Sequence, residues 1–444
     1  MSGWLATARA RVRTPGTTAV LAGSFASGLG AYAFQVLGTR ALGDAAYAPI
    51  SVLWTIQYLA LTIALVSVEA YVTRAVTLHA DEPDVVRRGE LVMSAWIGCV
   101  VVAVGAAAWV WRDALFHGRG ADLPLVAALI VAGYGAFVVI RGRLAGEYRF
   151  RHYGIATAME SLSRVLIAVP VVVLGATTRS LAWTLPLGPI VVAGWWLLVR
   201  DRPYVGPTRA PDPEGLAAMS ASPTGRYLLA TTVANASSQT LLAAGPLVLI
   251  PLGATPAEIS VFFVTTTAAR VPLVFAFGGL LSRVLPPLTR VARAGDFRRL
   301  RRLALLTTAG AVAVGVAGAG AGAAIGPAIV ALFFGADFEP SAGFVALTVA
   351  GVVMATAALG LNQLLIAMGQ ELRMIGPWVA ALAAGGAAVA LGGGEEMLRV
   401  AVAFVIGEAV AITGLVAAVL TARPRTPAAV LPTTDVPPVS TFGE

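Results

Sequence analysis

The chain alternates between long apolar runs and short arginine-bearing segments, and this alternation limits what it can fold into. About twelve runs are each close to the roughly 20 residues that a helix needs to cross the hydrocarbon core of a bilayer. With 58% hydrophobic and 12% charged residues, the composition is far from the roughly 25% charged residues of soluble domains. The sequence therefore predicts an all-α polytopic membrane protein.

The predicted spans fall into two groups of six, separated by a linker rich in Pro, Gly, Ser and charge. The spans are predicted at 17–37, 47–72, 91–111, 124–143, 153–175 and 180–199, and at 226–249, 257–287, 303–334, 341–367, 374–392 and 396–421. The predicted domains are a cytoplasmic N-terminus (1–16), an N-terminal six-helix lobe (17–199), a cytoplasmic linker (200–225), a C-terminal six-helix lobe (226–421) and a disordered cytoplasmic tail (422–444).

All 31 basic residues are arginines, and their placement predicts the orientation. Assigning successive loops to alternate sides places about 23 arginines on one side and about 5 on the other. By the positive-inside rule, we expect a multi-pass protein of the inner (cytoplasmic) membrane with both termini in the cytoplasm. Topology and contact with membrane lipids account for the net charge of +8, so no nucleic-acid partner is expected.

Cysteine and histidine give no pattern typical of a metal site. The chain has one cysteine, Cys99, and its three histidines, His79, His117 and His152, are scattered between the apolar runs. We therefore expect no metal site.

The two halves resemble each other at matching turns. Leu42-Gly43 opens the turn after the first span, and Leu252-Gly253 opens the turn after the seventh. The segments 144–154 (LAGEYRFRHYG) and 366–376 (IAMGQELRMIG) also occupy matching positions. Because each half contains six spans, both start on the same side of the membrane, which predicts a parallel repeat.

Four segments carry a resemblance to a known family. They are VLGTRALGDAAY (36–47), LVLIPLGATPAEISVFF (247–263), LLSRVLPPLTRV (280–291) and FFGADFEPSAGFVAL (333–347). The pattern resembles the polysaccharide transporters, including O-antigen-type flippases, of the multidrug/oligosaccharidyl-lipid/polysaccharide (MOP) exporter superfamily. The chain departs from that pattern at Ala48 and Glu258, where a glycine usually closes the turn, and its seventh span lacks the acidic residue often found in the family.

The resemblance implies two lobes in a V like that of the MATE transporters, with a cavity opening alternately to each side. It implies a flippase or exporter of a lipid-linked oligosaccharide or polysaccharide precursor, driven by an ion gradient or membrane potential. For such a transporter we expect no cofactor and no catalytic residue. Expected partners are the lipid-linked glycan and a glycan polymerase or glycosyltransferases. A MATE-type multidrug exporter and a noncatalytic membrane scaffold of the same fold stay open. A membrane glycosyltransferase is disfavoured, because the carboxylates on the outer side lie on short turns.

Arg270 falls near the middle of the predicted eighth span, where a guanidinium is costly unless it faces a partner, a cavity or water. Two interpretations are open: Arg270 lines a substrate path, or it pairs with a carboxylate such as Glu408. Its planar fork suits the pyrophosphate of a lipid-linked glycan. The second span is the counterpart of the eighth in the first half, and it has no matching arginine. A site lined by these two spans should therefore be asymmetric between the halves.

Other polar residues in or beside the spans are candidates for the same substrate. Each has a structural alternative: an arginine at a span end can anchor in the headgroups, and an amide can bond to a neighbouring helix. These candidates are Arg40, Arg74, Arg283, Asn235, Gln239 and Gln57.

Three carboxylates are candidates for coupling or for ion pairs. Glu160 and Arg164 are four residues apart in the favourable order for a structural ion pair. Glu69 and Glu408 have no cation within one helical turn, so each is a candidate for protonation coupled to transport.

Overall fold

The computed structural model describes residues 17–79, 82–118, 120–201, 224–271, 287–292 and 294–422. In these ranges every regular element is a helix. The N-terminal half contains α1 (Thr17–Leu42), α2 (Asp44–Leu59), a π-helical segment (Ala60–Leu65), α3 (Val66–Leu78), α4 (Pro83–Val110), α5 (Arg112–Phe116), α6 (Leu123–Gly146), α7 (Phe150–Val173), α8 (Thr178–Ala182) and α9 (Leu187–Val199). The C-terminal half contains α10 (Thr224–Ala243), α11 (Gly245–Leu249), α12 (Pro256–Ala269), α13 (Phe297–Phe334), α14 (Ala342–Ala367), α15 (Ile375–Leu391) and α16 (Glu396–Leu420).

Ten of the described helices are long and apolar enough to cross a membrane, and a bent pair in the seventh predicted span supplies an eleventh. The all-α, multi-pass prediction is therefore confirmed. The second half of the predicted eighth span lies outside the described residues, together with residues 1–16, most of the linker and most of the tail. The total of twelve spans stays a prediction.

Several helices extend past the apolar runs that predicted them. The second span runs without a break from α2 through the π-helical segment to the end of α3. The ninth begins at Phe297 instead of residue 303, because the Asp296 side chain accepts a hydrogen bond from the backbone N–H of Arg299 at 3.0 Å. This cap lets the arginine-rich stretch form the first turns of α13.

The seventh span bends by 61° between α10 and α11 because of its sequence at the break. Pro246 has no N–H to bond to the carbonyl of Leu242, four residues earlier. Gly245 also lets the Phe262 ring approach, since a Cβ there would lie 2.0 Å from a ring carbon. The bend therefore leaves the Leu242 carbonyl without its usual helical donor.

Matching contacts in the two halves follow the predicted repeat. In the first half α1 packs on α7 and α4 on α6; in the second, α10 packs on α15 and α13 on α14. Gly43 and Gly253 both adopt positive φ, at 74° and 89°. The predicted match between 144–154 and 366–376 shifts by one residue. Tyr148 and Gly369, with φ of 58° and 65°, end their helices with the same hydrogen-bond pattern, so Tyr148 corresponds to Gly369 and not to Gln370.

Glu258, at the start of the eighth predicted span, stands where the family pattern usually has a glycine, and its hydrogen bonds explain the difference. Thr255 caps α12 by accepting a hydrogen bond from the Glu258 backbone N–H, and the Glu258 carboxylate accepts one from the Thr255 backbone N–H at 2.7 Å. This capping box stabilises the start of α12 in place of a glycine turn.

The close packing of α1 against α7 gives a first prediction. A Cβ at Gly23 would lie 2.2 Å from the backbone oxygen of Gly154, so the helices must separate, whereas a Cβ at Gly28 meets nothing within 4 Å. We expect Gly23→Ala to lower the stability by ~1–3 kcal/mol. Gly28→Ala, on the same helix, should be neutral or stabilising by up to about 1 kcal/mol. Thermal unfolding of both variants in one detergent compares them; equal midpoints would contradict the contact.

The loops lie at two ends of the helix bundle, which we name by their arginine content. The arginine-poor end carries the turns at Gly43, 250–255 and 335–341; the arginine-rich end carries those at 147–149 and 368–374. The lobes meet at the arginine-poor end, where Arg40 Nε donates to the Phe333 carbonyl at 2.9 Å. The Tyr47 and Phe338 rings also meet there, with centroids 6.4 Å apart. The structure is thus closed between the lobes at this end.

Candidate functional site

A cavity of about 220 Å³ lies between the two lobes. The first lobe lines it with Ser27, Tyr32 and Gln35 of α1 and Trp54, Thr55 and Tyr58 of α2, and the second lobe with Ala243, Phe263, Thr266, Thr267 and Arg270. Its volume suits a phosphate-sized group or a single headgroup. A bulky substrate requires the lobes to separate around it.

Arg270 is the charged residue among the described side chains that line this cavity. It follows the last residue of α12, and its Nη2 donates to the carbonyl of Leu242. That carbonyl is the acceptor which Pro246 leaves without a helical N–H. The guanidinium carbon also lies 5.8 Å from the centroid of the Tyr58 ring, within the range of a cation–π contact. Arg270 is therefore anchored at one nitrogen and held against the opposite lobe.

Three residues in the cavity wall keep buried polar atoms without a hydrogen-bond partner among the described residues. They are Gln35 Oε1, Trp54 Nε1 and Arg270 Nε. Buried polar groups are normally paired, so atoms of a cavity wall that no protein group bonds can bond to water or to a ligand in the cavity. Two of the three are N–H donors, and the donor set suits an oxygen-rich anionic group.

Asn235 and Gln239 of α10 bond across the lobe interface. Asn235 Nδ2 donates to the carbonyl of Thr62 at 2.7 Å, inside the π-helical segment. The Tyr58 hydroxyl donates to Gln239 Oε1 at 2.9 Å. The structure thus uses these two amides, which the sequence offered as substrate ligands, as interhelical hydrogen-bonding groups beside the cavity.

Gln57 points away from the cavity into the first lobe, where its Nε2 donates to the Tyr134 hydroxyl at 2.9 Å. Gln57 as a substrate ligand stays a prediction: successive helical residues point about 100° apart, and in this arrangement Tyr58 takes the cavity-facing position.

Of the three remaining arginine candidates, Arg40 and Arg74 lie away from the described lining of the cavity. Arg40 is at the arginine-poor end, bonded to the carbonyls of Leu332 and Phe333 near the end of α13. Arginine is favourable at such a helix C-terminus. Arg74 lies on α3 towards the arginine-rich end, and Arg283 lies outside the described residues.

Glu160 and Arg164 form a buried salt bridge inside the first lobe, with side chains 6% and 1% exposed. Arg164 and Glu160 both bond to the Tyr134 hydroxyl, and the Arg164 guanidinium lies 4.7 Å from the Trp54 ring centroid. The other oxygen of Glu160 accepts from Ser161 Oγ at 2.6 Å, and Ser161 Oγ lies 2.9 Å from Ser27 Oγ. Two hydroxyls therefore connect the cavity wall to Glu160.

The other two candidate carboxylates differ in their surroundings. Glu69 lies 3.1 Å from Arg141 Nη2 and accepts from the Tyr153 hydroxyl at 2.9 Å, so a neighbouring helix supplies the cation that its own helix lacks. Glu408 is fully buried in the second lobe, and neither carboxylate oxygen has a partner among the described residues. The suggested Glu408–Arg270 pair does not form.

Sequence reasoning missed the aromatic side of the cavity. Trp54, Thr55 and Tyr58 share one helical face, and Tyr32 donates from α1 to the Thr267 carbonyl at 2.8 Å. The spacing of three and four residues in α2 was the available signal.

Within the described ranges, no group of three or more His, Cys, Asp or Glu is placed to hold a metal ion.

Solved structures of known transporters share this fold. A multidrug resistance MATE family transporter of the MOP superfamily, in its inward-facing conformation, superposes with a TM-score of 0.63 at 16% identity, covering 89% of this chain and 95% of that one. A MATE structure in a bent conformation gives 0.51 at 16% identity over 90% and 94%. A MOP superfamily transporter from Pyrococcus furiosus, described as having a binding pocket of reverse polarity, gives 0.50 at 17% identity over 93% and 98%. The chain has a MATE-like fold.

Sequence relatives add little on activity. Uncharacterized proteins of Mycobacterium bovis and Mycobacterium tuberculosis are 25% identical over 270 residues, which is 59% of this chain. The chain spans 58% of the length of these relatives. No protein-family model matches it.

Proposed function

We propose that this chain is an alternating-access flippase or exporter that moves a lipid-linked oligosaccharide or polysaccharide precursor across the cytoplasmic membrane. The observation that carries the proposal is the interlobe cavity, whose described lining contains a partly buried arginine and no carboxylate. An arginine among N–H donors recognises phosphate oxygens, and such a substrate carries a pyrophosphate between its lipid and its sugars. The closed arginine-poor end supplies one of the two states that alternating access requires.

A MATE-type multidrug exporter is the second candidate, and the shared fold favours it equally. Cationic drugs prefer a cavity lined by carboxylates and aromatic rings. Here the aromatic rings are present, but the lining charge is positive. The polarity of the described lining therefore favours an anionic substrate.

The driving force in this proposal is an ion gradient or the membrane potential. Glu408 is the first candidate to bind the coupling ion, because it is buried without a described partner. Glu160 is the second, because Ser27 and Ser161 connect it to the cavity wall. In this proposal the arginine-rich end faces the cytoplasm, and a glycan polymerase or glycosyltransferases are the partners of the transporter.

Deletion of the chain from its host tests the proposed substrate. We expect lipid-linked oligosaccharide to accumulate in the cytoplasmic leaflet and surface glycan to fall, because the precursor no longer crosses the membrane. Extraction of lipid-linked sugars, with leaflet assignment by an impermeant reagent, measures both. The control is the deletion strain carrying the wild-type chain on a plasmid. Normal surface glycan in a deletion strain without a second flippase contradicts the proposal, and increased sensitivity to cationic drugs alone supports the multidrug exporter.

A further inference from the structure

A second space between the lobes lies on the other side of α2 from the cavity. It is an apolar groove of about 630 Å³, lined by Leu59 and Ile63 of the second span, Val104 and Ala107 of α4, and Leu247 and Ile250 of the second lobe, among other apolar residues. We call it the acyl groove. Trp111 supplies the one polar side-chain atom of the described lining, its indole N–H.

The acyl groove is separated from the Arg270 cavity by contacts between α2 and α10. Tyr58 faces the cavity and bonds to Gln239, whereas its neighbour Leu59 lines the groove. The Asn235 bond to the Thr62 carbonyl lies along the same contact. If a substrate bound its phosphate at Arg270, its lipid chain could reach the acyl groove only by crossing these hydrogen bonds. A separate lipid molecule fits the geometry better.

The length of the groove matches one leaflet. Its α4 wall runs from Val100 to the end of that helix at Val110, about 15 Å at 1.5 Å per residue. This is half of the roughly 30 Å hydrocarbon core of a bilayer. Inside a membrane a wall of this composition is covered by hydrocarbon, because it offers almost nothing for water to bond.

Where the acyl groove reaches the arginine-poor end of the bundle, it has the residues expected beside a lipid headgroup. Trp111 lines the groove there and is 61% exposed, as interfacial tryptophans are. Next to it, the partly exposed Arg112 lies 5.0 Å from the Trp109 ring and 3.7 Å from the exposed Asp113 carboxylate. Arg112 provides a cation that can bind a lipid phosphate at the level where an acyl chain leaves the groove.

We propose that the acyl groove binds one acyl chain of a membrane phospholipid from the leaflet at the arginine-poor end, with its phosphate at Arg112. The ligand is a structural or regulatory lipid and goes beyond the proposed substrate. Since the groove has walls from both lobes, the bound chain stabilises the arrangement closed at that end.

The test uses the full chain in vesicles that contain phosphatidylglycerol with a photoreactive diazirine in its acyl chain. Labelled positions are mapped by mass spectrometry at increasing probe fraction. At Val104 and Ala107 we expect labelling that saturates near one probe per chain. At Val102, which is 70% exposed on the lipid side of α4, labelling should rise in proportion to the probe. Proportional labelling at all three positions overturns the proposal, whatever any variant does.

Two matched substitutions locate the bound chain. Ala107→Trp fills the groove and should abolish the saturable labelling, whereas Ala106→Trp, on the exposed face of the same helix, should leave it unchanged. Equal effects of the two substitutions overturn the proposal. Saturable labelling that a polyprenyl phosphate displaces, but unlabelled phosphatidylglycerol does not, overturns the assignment to a phospholipid and points to the substrate's own lipid. These outcomes do not depend on whether the proposed function holds.

Discussion

Replacing Arg270 by glutamine should reduce transport of the lipid-linked precursor by roughly 10- to 150-fold. The estimate corresponds to the ~1.5–3 kcal/mol typical of a hydrogen bond to a charged group, at ~1.4 kcal/mol per tenfold. Arg270→Lys should fall between wild type and Arg270→Gln, because lysine keeps the charge but loses the planar fork. Leaflet-resolved extraction of the precursor measures the effect, with the amount of protein in the membrane determined in parallel.

A structural role for Arg270 must be separated from a ligand role, since its guanidinium also bonds to the Leu242 carbonyl. Pro246→Ala supplies the backbone N–H that the proline lacks and gives that carbonyl its own donor. If Arg270 only satisfies the carbonyl, Arg270→Gln should be harmless in the Pro246→Ala background. If it binds the substrate, the loss should persist there.

Arg399→Gln is the matched control for a general effect of removing an arginine. Arg399 also donates to backbone carbonyls at a helix end, those of Val389 and Ala390, but it does not line the cavity. We expect near-normal transport for this variant. Loss of transport in Arg399→Gln equal to that in Arg270→Gln, or normal transport in Arg270→Gln, would remove Arg270 from the proposed site.

The sequence was sufficient for the features that depend on local patterns. Apolar runs of membrane length predicted the helices, and the Leu-Gly turns at Gly43 and Gly253 predicted the repeat that the positive φ angles display. The unusual position of Arg270 could also be recognised, because an arginine in an apolar run needs an explanation. The structure places Arg270 at the lobe interface, in the wall of the cavity.

The partners of these residues could not be predicted, because they come from helices that are distant in the sequence. Glu69 looked unpaired along its own helix, whereas Arg141 approaches it from α6. A carboxylate such as Glu408 is one of the two partners that the sequence suggests for Arg270, whereas a carbonyl freed by Pro246 accepts its hydrogen bond. Helical periodicity predicts which residues share a helix face, but the neighbour that this face contacts depends on how the helices pack together.

The largest effect on stability is expected from removing Glu160 while Arg164 stays in place. The two form a salt bridge with almost no solvent exposure, and two other nitrogens of Arg164 already lack partners among the described residues. Glu160→Ala leaves a buried cation without its counter-charge, which costs ~3–5 kcal/mol. Arg164→Ala should cost less, because a lone buried carboxyl can become neutral by taking a proton, whereas arginine stays charged.

The double variant Glu160→Gln with Arg164→Met distinguishes the stability that the ion pair contributes from the cost of leaving one buried charge unpaired. Removing both charges avoids an unpaired buried ion, so most of the stability lost in Glu160→Ala should return. The control is Asp201→Ala, which breaks the exposed Arg200–Asp201 pair and should change stability by less than about 1 kcal/mol. Thermal unfolding in one detergent ranks the four variants. If Glu160→Ala and Asp201→Ala shift the midpoint equally, the buried pair does not stabilise the first lobe, and Glu160 is then free to act through its hydroxyl connection to the cavity.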